Sequence, residues 1–194
     1  MPVAPSKVVC IGRNYVAHIH ELGNEVPTSM VLFCKPNSAV TQELYYISDD
    51  TRFEGEIALM VRDGAYMAVG FGLDLTKADE QARLKAEGLP WERAKAFDCS
   101  AVFSPFVPLE VPLDTLRMRL YHNGVLVQEG GYDLMIYKPE TILKEIEGFM
   151  SLYDGDIIMT GTPKGVGTYR RGDRFEASIF AGEEPLLRHS WYAA

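Results

Sequence analysis

Three groups of residues in this chain have the types and spacing to do chemistry. The first lies in Arg52 to Val61, RFEGEIALMV, which carries two glutamates two residues apart. An alternating strand sends Glu54, Glu56, Ala58 and Met60 to one face, with same-side neighbours ~7 Å apart. Asp74, between Leu73 and Leu75 in GLDLT, falls near the end of the next expected strand. If neighbouring strands bring these carboxylates together with room for water, they suit Mg²⁺ or Mn²⁺ at ~2.1 Å. The competing reading makes the glutamates the solvated face of an edge strand and Asp74 a cap for the following helix. Spacing alone favours that blander reading.

The second group is His18, His20 and Glu21 in VAHIHELGNE. His18 and Glu21 are three apart and share a helix face, so a carboxylate can orient the imidazole as a general base acting on water. An exposed, frayed helix with incidental polar residues is the alternative, and spacing alone favours it too. The third is TGTPKGVG, residues 160–167. A phosphate-binding GxxxxGK[ST] pattern is absent, since Lys164 precedes Gly165 and no Ser or Thr follows in place, so nucleotide binding is rejected. Backbone N–H groups and threonine hydroxyls able to hold a carboxylate remain, against a plain turn. Lys95, in WERAKAFD, reads alone as a surface lysine.

Several elements must position these residues. KVVCIGRNY predicts a short buried strand, Val8 to Ile11, ending at Gly12; VAHIHELGNE allows two helical turns before Gly23-Asn24. MVLFCKP is an apolar strand closed by Pro36. A single strand is expected from Phe53 to Val61, ended by the Asp63-Gly64 turn, and MAVGFGLDLT is a further strand. Lys77 to Glu87 reads as a helix with Thr76 as N-cap and Gly88 as stop. Asn123-Gly124 signals a hairpin between RMRLY and VLVQE. KPETILKEIEGF is a helix with Pro139 in its first turn and Ile142, Leu143, Ile146 and Phe149 along one face. Short strands dominate, so the fold class is β-rich α+β.

With 194 residues, 47% of them hydrophobic and 24% charged, the composition fits one globular domain over 1–194. No apolar run approaches the ~18 residues of a membrane span, and the N-terminus lacks the pattern of a signal peptide, so a soluble, cytoplasmic protein is expected. A formal charge of −8, with 27 acidic and 19 basic residues and no long basic cluster, argues against nucleic acid as a partner. Cys10, Cys34 and Cys99 are odd in number and widely spaced; buried thiols are expected.

In order, IGRNYVAHIHE, LFCKP, EGE, GLDLT, LPWERAKAFD, NGVLVQEG and GDIIMTGTPKGVG resemble the fumarylacetoacetate hydrolase family from about residue 8 to 185. The likeness is to its small branch acting on acylpyruvates and oxaloacetate. That resemblance implies a mixed β-roll with a few short helices, assembled as a homodimer. It makes Glu54, Glu56 and Asp74 the ligands of Mg²⁺, or of Mn²⁺ in its place, overturning the solvated reading. It implies that His18 and Glu21 form a water-activating dyad on a short lid, that Lys95 stands beside metal and substrate, and that Arg13, Gln128 and Thr162 line the pocket. His20 has no counterpart in the motif. The implied activity is cleavage of a C–C bond in acylpyruvates, with decarboxylation or tautomerisation of oxaloacetate open to the same site. A 2-hydroxyhepta-2,4-diene-1,7-dioate isomerase or decarboxylase is the enzymatic alternative, and a catalytically silent, metal-stabilised binding protein the non-enzymatic one. Gly55, between the two glutamates, leaves room for a bulge or a close backbone approach.

Overall fold

Apolar residues on both sides of a strand demand cover on both faces, and the opening strand shows how this chain supplies it. The computed structural model describes residues 4–21, 23 and 27–194. In strand Lys7–Gly12, Val9 and Ile11 pack with Ile142 and Ile146 of a helix, while Val8 and Cys10 face the other way, toward Ala58, Phe103 and Met159.

This strand belongs to an eight-stranded sheet, whose main path runs in the order Val31–Pro36, Lys7–Gly12, Ile157–Met159, Gly55–Arg62, Ala65–Asp74, Ala101–Phe103 and Val40–Thr41, with Val107–Pro108 pairing Ala65–Asp74. Lys7–Gly12 runs parallel to Ile157–Met159, and Val40–Thr41 to Ala101–Phe103; the other pairings are antiparallel. A four-stranded sheet, Val125–Gly131, Leu116–His122, Arg174–Ala181 and Glu184–Tyr192, covers one face. The largest core cluster joins them: Ile57, Leu59, Phe71 and Leu73 from the first sheet meet Met118, Leu120, Phe175 and Ile179 from the second. The α-helices among the described residues are short: α1 (Val16–Glu21), α2 (Ala78–Glu87), α3 (Glu92–Lys95) and α4 (Pro139–Glu147). A mixed, β-rich roll with few helices is therefore the observed architecture.

Local expectations are met where turn chemistry decides. Asp63-Gly64 and Asn123-Gly124 all have positive φ, as hairpin turns of this kind require. Gly88 caps α2 in the left-handed conformation, and Pro139 opens α4.

Others are corrected. The strand expected from Phe53 to Val61 is interrupted: Thr51–Phe53 pairs with Thr76–Lys77 and Gly167–Thr168 in a separate three-stranded sheet, Glu54 sits at the break, and Gly55–Arg62 enters the large sheet. Its partner Ala65–Asp74 breaks at the same level, at Leu75, before Thr76–Lys77. Thr76 is not the N-cap of α2; Lys77 holds that position without a side-chain bond, because the Thr76 hydroxyl is engaged elsewhere. Phe149 lies past the end of α4 and is exposed, whereas Ile142 and Ile146 are buried. Only Cys10 is a buried thiol; Cys34 is exposed and Cys99 partly so. Asn24, expected to help stop the first helix, lies outside the described residues. No described helix is long and apolar enough to cross a membrane.

Asp156 staples the N-terminal strand in place. Its fully buried side chain accepts hydrogen bonds from the Ser6 N–H and hydroxyl, the Lys7 N–H and ammonium, and the Tyr153 N–H. Burial works to raise this carboxyl, but Lys7 and the donated hydrogen bonds win and hold it below the usual range. Asp156→Ala is expected to cost about 2–4 kcal/mol in denaturant unfolding at neutral pH. A depressed carboxyl stabilises above its unfolded pKa and loses that contribution as pH falls through the folded value. The gap between wild type and variant should therefore close in acid.

Candidate metal and active site

The register of two strands builds the site. Gly55 pairs with Leu73 and Glu56 with Gly72, and the Asp74 N–H donates to the Glu54 carbonyl at 2.9 Å. Glu54 thus stands across from Asp74, with Glu56 one step along the same face. One carboxylate oxygen from each lies within 4.8 Å of the others. Glu56 and Asp74 are 2% and 1% exposed, which rules out a solvated edge for Glu56 and a helix-capping role for Asp74.

Two ammonium groups answer this charge. Lys95, on α3, donates to Glu54 Oε2 and Asp74 Oδ2, each at 2.8 Å, and to Thr76 Oγ1 at 2.5 Å. Thr76 in turn donates to Glu54 Oε1 at 3.1 Å. Lys35, fully buried, lies 2.8 Å from Asp74 Oδ1 but directs its protons to the carbonyls of Leu75, Lys95 and Ser100. Asp74 Oδ1 accordingly accepts no hydrogen bond and keeps a lone pair. Sequence reasoning missed both Lys35 and Thr76. A lysine inside the apolar run VLFCKP was the available signal for the first; the second was read as a helix cap.

The two ammonium groups are shared unequally. Lys95 pairs with Glu54 and Asp74 and Lys35 with Asp74, and neither pairs with Glu56. Burial, Asp74 and Glu54 push its carboxyl well above the usual range, against the Gly161 N–H and Lys95. Burial also works to raise Asp74, but the ammonium groups of Lys35 and Lys95 hold it below. Lys95 is held above its ordinary value by Asp74 and Glu54, despite burial. An all-oxygen donor set, one oxygen of which accepts no hydrogen bond, fits a hard divalent cation.

The carboxylates face a cavity lined also by Arg13, His18, Lys95 and Thr162. His18, 5% exposed, brings Nδ1 to 3.1 Å from Glu21 Oε2. The glycine-rich segment does hold carboxylates, and they are the protein's own: the Gly161 N–H donates to Glu56 Oε2 at 2.6 Å and the Gly165 N–H to Glu21 Oε1 at 2.9 Å. Gln128 lies behind the cavity. Its amide nitrogen donates to Thr162 Oγ1 at 2.7 Å and its oxygen accepts the Gly55 N–H at 2.8 Å, while Thr162 donates to the Gly55 carbonyl. A Cβ at position 55 would stand 2.9 Å from that amide oxygen, so glycine permits this close approach. His20 does not line the site cavity; it lies on a separate pocket with Lys164 and Glu129.

The sequence pattern of the fumarylacetoacetate (FAA) hydrolase C-terminal family matches residues 7–187. The chain belongs to this family. Among curated members, it is 39% identical to the oxaloacetate tautomerase YcgM of Escherichia coli K12 over 194 residues, covering 90% of this chain and 88% of that protein. It is 36% identical to a human mitochondrial oxaloacetate tautomerase, covering 89% of this chain and 86% of the other. Among solved structures of the family, fumarylpyruvate hydrolase from Pseudomonas aeruginosa, in complex with Mn²⁺ and pyruvate, superposes with a TM-score of 0.86 at 29% identity, covering 100% of this chain and 97% of the other. 2-Hydroxyhepta-2,4-diene-1,7-dioate isomerase from Mycobacterium marinum does so with 0.80 at 29%, covering 100% and 76%. Enzymes of the fumarylacetoacetate hydrolase family thus share this fold while their names span hydrolases and isomerases.

A metal titration checks the donor set. A carboxyl raised by folding stabilises below its unfolded pKa, and that benefit is lost as pH rises through the folded value. Metal-free protein should therefore lose the Glu56 contribution above the ordinary carboxylate range, while a cation offsets it. The gain in Tm on adding Mg²⁺ or Mn²⁺ is expected to grow with pH, reaching about 5–10 °C at saturating metal and falling close to zero in Glu56→Gln.

Proposed function

We propose that the protein is a divalent-cation-dependent enzyme, with Mg²⁺ as the resident ion, that interconverts the enol and keto forms of oxaloacetate. The observation that carries this reading is that the carboxylate cluster and the His18–Glu21 pair open on the same cavity. Relatives named oxaloacetate tautomerase, aligned over about nine-tenths of the chain, support the choice of substrate.

Glu54, Glu56 and Asp74 would hold the cation, which when bound acts as a Lewis acid on the C2 carbonyl and offsets charge developing on its oxygen. Lys95, fixed by Glu54, Asp74 and Thr76, supplies positive charge for the C1 carboxylate of the substrate. With His18 Nδ1 donating to Glu21, Nε2 carries the lone pair and faces the work of proton transfer. It takes a proton from C3; the C–H electrons form the C2–C3 double bond and the C2 oxygen gains the charge and then a proton. The reverse sequence gives the ketone.

Acylpyruvate hydrolysis is the second reading, favoured by the same dyad. There Nε2 takes a proton from water, the water oxygen attacks the distal carbonyl, and the C–C bond breaks with its electrons passing to the pyruvate fragment. Oxaloacetate decarboxylation reaches the same fragment with no attacking water. The resemblance to family members extends this reading to a homodimer.

The test follows enol absorbance of oxaloacetate, and in parallel acetylpyruvate cleavage, with and without EDTA. Glu56→Gln should lower kcat/KM on oxaloacetate by about 10³-fold, and His18→Ala by about 10²–10⁴-fold with metal affinity retained. Unchanged enol conversion in both variants would refute the tautomerase reading. Faster turnover of acetylpyruvate than of oxaloacetate enol would instead favour hydrolysis.

A further inference from the structure

One wall of the cavity is built by α2, Trp91 and Phe33, and none of the chemistry above uses these residues. Gln81 and Lys85, four residues apart on α2, both line the cavity, while Leu84 anchors the helix to the core. The Lys85 ammonium lies 5.1 Å from the centre of the Trp91 ring. Trp91 packs 5.9 Å from Phe33, and Phe33 lies 5.0 Å from the Lys95 ammonium. A continuous aromatic wall therefore runs from Lys95, among the carboxylates, to Lys85, two rings away.

Pairing on α2 sets Lys85 apart. Arg83, on the outer face, is bonded to Glu80 at 2.8 Å and to Glu87 at 2.9 Å. Lys85 makes no hydrogen bond or ion pair with a carboxylate among the described residues, although α2 carries three acidic side chains. Arg13 lines the same cavity. Burial first, and then the charge of Arg13, hold the Lys85 ammonium below its ordinary value, with Glu54 acting the other way. Cation–π packing and a place in the last helical turn both suit a lysine, but neither requires it to face the cavity. An anion that reaches Lys85 in the cavity meets an ammonium that no carboxylate of the described residues neutralises.

We propose that Lys85 is the specificity-determining group for the distal carboxylate of a dicarboxylic 2-oxo acid, so that the site selects diacids over otherwise identical monoacids. This rests on the 2-oxo acid reading above. The aromatic wall of Phe33 and Trp91 excludes water along the substrate, which strengthens the charge-assisted hydrogen bond at its far end.

The experiment compares oxaloacetate with its 4-methyl ester, which differs only in that carboxylate. Binding to the metal-loaded protein is measured by calorimetry, and kcat/KM by enol absorbance. Wild type should bind the diacid about 10–100-fold more tightly than the ester. Lys85→Gln should lose that preference, with ester binding changed less than about threefold and thermal unfolding retained, and Lys85→Arg should keep most of it. Equal binding of the two ligands by wild type, or equal weakening of both in Lys85→Gln, would overturn the proposal and leave the 2-oxo acid reading standing. If neither ligand binds metal-loaded wild type, the 2-oxo acid reading falls and the role of Lys85 falls with it.

Discussion

Placing three carboxylates within 4.8 Å of one another, two of them almost wholly out of water, is costly enough to dictate much of what surrounds them. Lys35 and Lys95 reach the cluster from a strand and a helix far apart in sequence, and each is held in turn by carbonyl or hydroxyl groups. Their burial makes sense only as the answer to that charge, since a buried lysine without a partner would give up its proton. The compensation is uneven: Lys35 and Lys95 pair with Asp74 and Glu54, and neither pairs with Glu56, whose carboxyl is pushed up by burial and by its two neighbours.

The glycine-rich segment then couples this electrostatic centre to the dyad. Gly161 fixes Glu56 and Gly165 fixes Glu21, so a single loop holds both a carboxylate of the buried cluster and the group bonded to His18. Gly165 has a φ of +100°, and a Cβ there would come within 1.8 Å of the Val127 carbonyl. Only glycine brings that N–H to Glu21. Thr162 and Gln128 complete the clamp from behind by gripping both backbone groups of Gly55.

Much of this was legible in the sequence, and the reasons differ from element to element. Turns at Asp63-Gly64 and Asn123-Gly124 were readable because positive φ selects those residues locally. Glu54, Glu56 and Asp74 were readable as candidates from alternation, but their convergence depends on register, a long-range property that only the family resemblance supplied. The break at Glu54 was hidden, since Phe53 and Ile57 are equally apolar whichever sheet receives them. Lys35 and Thr76 were hidden for the opposite reason: each has an ordinary local explanation, and only partners brought from 60 or 19 residues away replace it.

Both central strands change sheets at the same level, and the carboxylates sit where they cross. Architecture and chemistry therefore share a seam in the middle of the molecule, and a substitution there is felt by both at once. The helices around it are attached differently: α1 has six residues, and α2 buries only Leu84. A substitution on these helices can thus alter the cavity wall while leaving the seam alone. Such a division of labour separates a rigid carboxylate centre from a cavity wall that can vary, in keeping with structural neighbours whose names range from hydrolase to isomerase.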